Sequence, residues 1–459
     1  MNILIIASIL AIFGGVIFIR PEEGPGALAL CVLTSVPAII ILARSPEQRT
    51  FLMRLFLVAV IIRIVLAMAI FVGHAEEFFG GDANTYDIFG QSLVASWHGD
   101  EYHAGKFLSF TQSGASAWGM LYMVAAVYEV IGRNMLAIQL INAAIGASTA
   151  IVVYHVAQTL FSNTRVSKLA AVLVAFFPSL ILWSSQALKD GMIILALALS
   201  ILATLRLMEK ITVGYVVVLI GALLALFSFR FYIFYMMTAA VAGSFFLGSK
   251  AFSAHGFVQR FIAVAAIGLA FTWFGVLQGA SVQFERYASL KMVQTSREDQ
   301  AAAGSGFMKD VDVQTTEGAL TVIPIGLLYL MFAPFPWDFA TLRQTITLPE
   351  MIVWWLAFPL LVLGLWYSIK HRLRQVSPII IFTTMLTLAY SLFQGNVGTA
   401  YRQRSQLLVF YFIFVAVGAV ILKERAEDRR RQQQLAKQEL AELQAARVLA
   451  RRKAAVGSS

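Results

Sequence analysis

The sequence predicts an all-α polytopic membrane protein of about 12 to 14 transmembrane helices, with a short interfacial helix in the first long outer loop. Three observations predict it. Hydrophobic residues make up 59% of the 459-residue chain and charged residues only 13%, against roughly 25% charged in a soluble domain. Mean hydropathy is +0.76. Apolar runs of about 18 or more residues recur from end to end, each long enough to cross a bilayer core.

In chain order, the runs 2–20, 25–43, 52–73, 135–160, 166–185, 191–208, 212–229, 231–248, 257–278, 350–369, 377–393 and 405–422 read as spans. The first reads as a retained span, because Met1-Asn2 lacks the basic start of a secretory signal and no small-residue cleavage site precedes Arg20-Pro21. The runs 115–132 and 319–334 are ambiguous. Lys and Arg in short loops mark the cytoplasmic side. If neither ambiguous run crosses fully, Arg44/Arg49, Arg165/Lys168, Arg206/Lys210, Lys250/Arg260 and Lys370/Arg372/Arg374 all lie inside. This is the preferred arrangement. Loops 74–114 and 279–318 then lie outside, with the turns at Lys189-Asp190, Arg230 and Tyr401-Arg402-Gln403-Arg404. Both termini are expected in the cytoplasm of a cell with an inner membrane. The chain divides into a multi-span domain over 1–422 and a basic, helix-forming cytoplasmic tail over 423–459. The tail carries much of the net charge of +10, and suits the anionic headgroup region. A single cysteine, Cys31, excludes an intrachain disulfide and a thiolate metal site.

The polar stretch Phe79-Gly80-Gly81-Asp82-Ala83-Asn84-Thr85-Tyr86-Asp87 stands out in this apolar background. Gly80-Gly81 permits a tight turn. Segment 85–97 then reads as an interfacial helix, with Trp97 in the headgroup belt. Asp82 falls near that helix's N-terminus, with Tyr86 one turn on along the same face. A helix cap accounts for Asp82 equally well, and a cap also fixes a carboxylate in place.

Other candidates lie where spans meet water. Lys189-Asp190 follows a span containing Pro178; the pair either neutralises itself or faces a cavity shared with Asp82. Arg230 joins two spans with almost no loop. Arg402 sits in a polar turn. Arg63 lies inside a span, where a cation needs a partner or a cavity. Arginine binds phosphate through a fork of donors, so Arg63, Arg230 and Arg402 are candidate phosphate ligands, while Arg404 reads as a snorkelling headgroup contact. In loop 279–318, the stretch Gln300 to Gly306 reads as flexible, and Ala333-Pro334-Phe335-Pro336-Trp337-Asp338 as a rigid aromatic platform. Walker A, HExxH and GxSxG patterns are missing, and the histidines lack metal spacing beyond His98/His103.

The segment Asp82-Ala83-Asn84-Thr85-Tyr86, with Pro178 and Asp190 later, resembles the GT-C membrane glycosyltransferases. The likeness is to the protein-mannosyltransferase-like branch, which takes sugar from a polyprenyl-phosphate carrier. It covers about the first half of the chain. It implies a GT-C fold and inverting transfer with Asp82 as general base. The candidate substrate-binding residues are Tyr86, Asp87, Lys189, Asp190, Arg63, Arg230 and Arg402. Many relatives carry a second acidic residue beside the first, whereas here Ala83 and Asn84 follow Asp82. No metal ligand set is therefore assigned, and a divalent cation stays open as cofactor. The implied partners are a polyprenyl-phosphate-linked sugar, membrane lipids, and a glycan, lipid or protein acceptor in cell-envelope polysaccharide biosynthesis; nucleic acid is not expected. Two other classes stay open: a polysaccharide polymerase or ligase using lipid diphosphate-linked glycan, and a non-enzymatic lipid or glycolipid transporter.

Overall fold

In a computed structural model of the chain, residues 3–43, 48–112, 118–247, 268, 290–302, 305–308, 311–337 and 342–456 are described. The expected span 257–278 apart from residue 268, the basic residues Arg44, Lys250 and Arg260, and Asp338 lie outside them.

The described residues are helical almost throughout, with one isolated bridge between Gly306 and Asn396. Helices α1 (Ile3–Ile19), α2 (Gly24–Ala43) and α3 (Arg49–Val72) open the chain. The first long loop folds into α4 (Glu76–Phe79), α5 (Asp82–Trp97) and α6 (Glu101–Gln112), followed by α7 (Trp118–Ile131). Next come α8 (Met135–Phe161), α9 (Thr164–Phe176), α10 (Pro178–Trp183), α11 (Asp190–Glu209), α12 (Val213–Phe229) and α13 (Phe231–Leu247). Then follow α14 (Leu290–Ala301), α15 (Thr316–Phe332), α16 (Leu342–Phe393), which kinks at Arg372, and α17 (Val397–Val456). Among the described residues, 6 helices are long and apolar enough to cross a membrane, and α1, α7, α12, α13 and α15 are shorter apolar helices. The molecule is an all-α polytopic membrane protein.

Local chemistry sets many boundaries. The Asn134 side chain accepts from Ala137 N and starts α8. The left-handed Ser162 (φ 50°) ends it, and Asn163 caps α9 at once. Phe177 is held extended ahead of Pro178, which opens α10 at the position where its missing N–H costs nothing. Helix α8 is apolar all round and lies at the centre, packed by α2, α3, α9 and α11. Gly146 lets it touch the chain after α10, since a Cβ there would meet Ser184 at 2.4 Å.

Several expectations change here. Segment 85–97 is helical, but α5 begins at Asp82, and the preceding Gly81 offers no capping side chain. Asp82 is therefore the first helical residue rather than the cap, and its charge suits the positive end of the helix. The turn at 401–404 is not a turn: α17 runs unbroken from Val397 through it and on into the tail. Arg404 is not a lipid-facing anchor. It is 2% exposed and donates to Met351 Sδ and Ala333 O. The stretch after Gln300 is tied down where described: Val397 N donates to Ser305 O and Phe307 N to Gly395 O.

Asp87 lies about 140° round the helix from Asp82, and α7–α8 claims it. Tyr128 donates to it at 2.6 Å, and Arg133 reaches both its oxygens. A buried carboxylate with such partners is a structural tie. Asp87→Ala should lower the stability of the purified protein by about 2–3 kcal/mol, read as a fall in unfolding temperature; an unchanged temperature would show that the tie does not matter.

Candidate functional site

Four separated segments meet at one end of the bundle. Asp82 comes from the first turn of α5, Asp190 from the first turn of α11, Arg230 from the one-residue break between α12 and α13, and Arg402 from α17. Arg402 is the junction. Its Nε and Nη2 donate to Asp190 Oδ2 at 2.9 and 2.6 Å, and its Nη1 donates to Asp82 Oδ2 at 2.7 Å. Because one guanidinium touches both carboxylates, Asp82 and Asp190 lie at the same end of the bundle.

Exposure separates the two acids. The Asp82 side chain is 50% exposed and Asp190 has no exposure. Arg230 Nη2 stands 3.9 Å from Asp190 Oδ1, too far for a hydrogen bond. Asp190 Oδ1 and Arg230 Nη1 have no hydrogen-bond partner among the described residues. Lys189 places Nζ 6.0 Å from the centroid of the Tyr86 ring. Two guanidinium groups thus meet two carboxylates, with the Lys189 amine against the Tyr86 ring beside them.

The surrounding packing holds this group still. Asn142, fully buried on α8, donates to the carbonyls of Gln186 and Leu188, which pins the non-helical turn ahead of Asp190. Arg402 lies over the Trp183 ring at 5.6 Å, and Tyr401, 6.3 Å from that ring, donates to Glu350 at 2.7 Å. Tyr390 donates to Gln406, one turn beyond Arg402, at 2.6 Å. The sequence reading missed Asn142, Trp183, Glu350, Tyr390 and Gln406. The signal existed for Asn142 and Glu350, because an amide or a carboxylate inside an apolar run needs a partner. Trp183 and Tyr390 had none, since aromatic residues are common throughout this chain.

Asp82, Tyr86, Lys189, Asp190, Arg230 and Arg402 are brought together; Asp87 and Arg63 are not. Arg63 is 1% exposed and donates to Ser184 Oγ at 2.8 Å, to Ala175 O at 2.9 Å and to Ala59 O at 3.1 Å. It ties α3 to the end of α9 and to Ser184 just after α10. His98 pairs with Glu129 and His103 with Asp100, so these two histidines serve separate contacts. Among the described residues, no group of three or more His, Cys, Asp or Glu could hold a metal ion. A divalent cation between Asp82 and Asp190 would have to displace the Arg402 guanidinium.

Residues 116–277, less than half of the chain, match the family described as dolichyl-phosphate-mannose-protein mannosyltransferase. The match supports a glycosyltransferase of the GT-C superfamily. A solved structure of the archaeal oligosaccharyltransferase AglB from Archaeoglobus fulgidus, in complex with an inhibitory peptide and a dolichol-phosphate, is similar at a TM-score of 0.42 and 13% identity. That similarity covers 68% of this chain and 43% of the AglB chain, so the chain spans less than half the length of that protein. No curated protein matches.

Lys189 gives the site a pH signature. Burial, reinforced by the Arg230 charge, pushes its ammonium from 10.5 down to about 7. Between those values the unfolded chain holds a proton that the folded protein has released, so stability rises with pH across that window. Lys189→Met should therefore show a smaller rise in unfolding temperature from about pH 7 to about pH 9.5 than the wild type. Equal slopes would mean that Lys189 stays charged in the folded protein.

Proposed function

We propose that this chain transfers a sugar from a polyprenyl-phosphate carrier to an acceptor hydroxyl on the non-cytoplasmic face of a cell inner membrane, in one inverting displacement. The acceptor belongs to glycan, lipid or protein chemistry. The observation that carries the reading is the meeting of a half-exposed carboxylate with an arginine pair and a lysine at one end of the bundle. Sugar transfer of this kind needs a base within hydrogen-bond reach of the attacking hydroxyl. It also needs fixed cations where negative charge grows on the departing phosphate.

Asp82 fits the base, since it is the acid of the pair that solvent and substrate can reach. Arg402 and Arg230 fit the phosphate. The Arg402 guanidinium is held from behind by buried Asp190, so it needs little reorganisation as charge develops. Asp190 has no exposure and serves as the anchor of Arg402 rather than as a second base. Lys189 and Tyr86 border the same space. The family match over residues 116–277 supports sugar transfer, and the printed family name supports a lipid-phosphate donor.

Transfer from a polyprenyl-phosphate sugar should fall by about 10²–10⁴-fold in Asp82→Asn. The variant should remain folded, because the replacement keeps the shape of the side chain. Wild-type turnover in that variant would remove Asp82 as the base.

The orientation has its own check. Cys31 is buried, so an impermeant maleimide reads a newly introduced cysteine. Tyr102 is 75% exposed in α6 and Leu435 is 52% exposed in the tail. A cysteine at 102 should label on intact cells, and one at 435 only after the membrane is opened. The reverse pattern would put the site on the cytoplasmic face.

A further inference from the structure

Arg402 is shared unequally between its two carboxylates. Two donors, Nε and Nη2, go to Asp190, which has no exposure. One donor, Nη1, goes to Asp82, which is half exposed. The cost of breaking each contact differs accordingly. A carboxylate cut off from water cannot replace a lost guanidinium with solvent, so that pair is expensive to break. A half-exposed carboxylate rehydrates, and such a contact contributes little. The Trp183 ring beneath the guanidinium also holds it in place. Arg402 is thus anchored on its Asp190 side and exchangeable at Nη1.

We propose that the phosphate of the donor takes Nη1 of Arg402 from Asp82, so that donor binding itself releases the base. The inference rests on the donor and the base role argued above, and adds an order of events to them. The Nη1 contact keeps the Asp82 carboxylate turned toward Arg402, and a carboxylate released from it can turn toward an acceptor hydroxyl. The phosphodiester of the donor offers Nη1 two non-bridging oxygens and a negative charge equal to that of the carboxylate. Arg402 cannot follow Asp82 outward, because Asp190 keeps two of its donors. Asp82 has room to turn away, because it is half exposed and starts α5 behind the Gly80-Gly81 pair, in which Gly80 (φ +122°) adopts its backbone conformation without strain. No covalent bond changes in this step: one hydrogen bond to Nη1 breaks, another forms, and Asp82 leaves as a carboxylate. The acceptor then meets a free base only in a site that already holds the donor.

The test is equilibrium binding of undecaprenyl phosphate, a carrier without sugar, to the purified full-length protein in lipid nanodiscs. Asp82→Asn removes the charge that competes for Nη1 while keeping the side chain's shape, and should bind the lipid about three- to ten-fold more tightly than wild type. The gain should vanish when the same change is made in an Asp190→Asn/Arg402→Gln background, where the buried pair is replaced by two neutral side chains. If that background does not fold, Arg402→Lys serves instead: a single ammonium cannot span both carboxylates, so the gain should shrink. Unchanged affinity in Asp82→Asn would overturn the exchange. So would a gain that persists without Arg402, since Asp82 would then act only by repulsion at a distance. Both results leave the donor assignment standing. Failure of wild type and variants alike to bind undecaprenyl phosphate above neutral undecaprenol would sink the donor assignment, and the exchange with it.

Discussion

A carboxylate with no access to water, set at the end of a membrane bundle, must have a cation. In this protein the carboxylate is Asp190 and the cation is Arg402. That requirement organises the polar end of the molecule. It pulls the start of α17 onto the start of α11, 212 residues away in the chain, and the remaining donor of the guanidinium reaches α5, 320 residues away. Leaving such an acid unpaired costs several kcal/mol, far more than an exposed ion pair contributes. The geometry of the site is therefore a by-product of solving a solvation problem, and it is correspondingly rigid on its buried side.

The backbone around this pair has the same difficulty on a smaller scale. Between α10 and α11 the chain leaves the helix for a few residues, and each carbonyl so released needs a donor where water is scarce. Asn142 supplies two of those bonds from the central helix. Arg63 supplies donors to Ala59, Ala175 and Ser184. Close approach at Gly146 makes these short connections feasible. Arg63 is a buried arginine with a structural occupation, and Arg402 is a part-buried arginine with a face toward the half-exposed acid. Side-chain type alone does not distinguish them; the difference is what lies beyond each guanidinium.

Helix geometry sorted the acids in the same way. Asp82 and Asp87 are close in sequence and both look usable in a polar loop. On α5 they point in widely different directions. Asp82 meets Arg402, and Asp87 meets Tyr128 and Arg133. A reading of the loop as a list of polar residues joins two side chains that the helix separates. Arg402 and Arg404 separate in the same manner within one turn of α17, one toward the carboxylates and the other toward Met351 and Ala333.

Hydropathy is a local property, so the chain by itself determined what a bilayer demands of it. The all-helical membrane class, most of the apolar helices, the helix after Gly81 and the polar positions worth attention were legible there. Asp82, Lys189, Asp190, Arg230 and Arg402 were visible as charges out of keeping with their surroundings. Their convergence was only one of two readings of Lys189-Asp190, because it depends on which helix faces meet across hundreds of residues, and no local pattern encodes that. Only the tertiary structure decided that Arg402, not Arg404, joins the two acids, that Asp87 and Arg63 serve the scaffold, and that Asp190 is sealed while Asp82 stays half open. The physical reason is the same in each case: a side chain's charge is set by its type, but its solvation and its partner are set by packing.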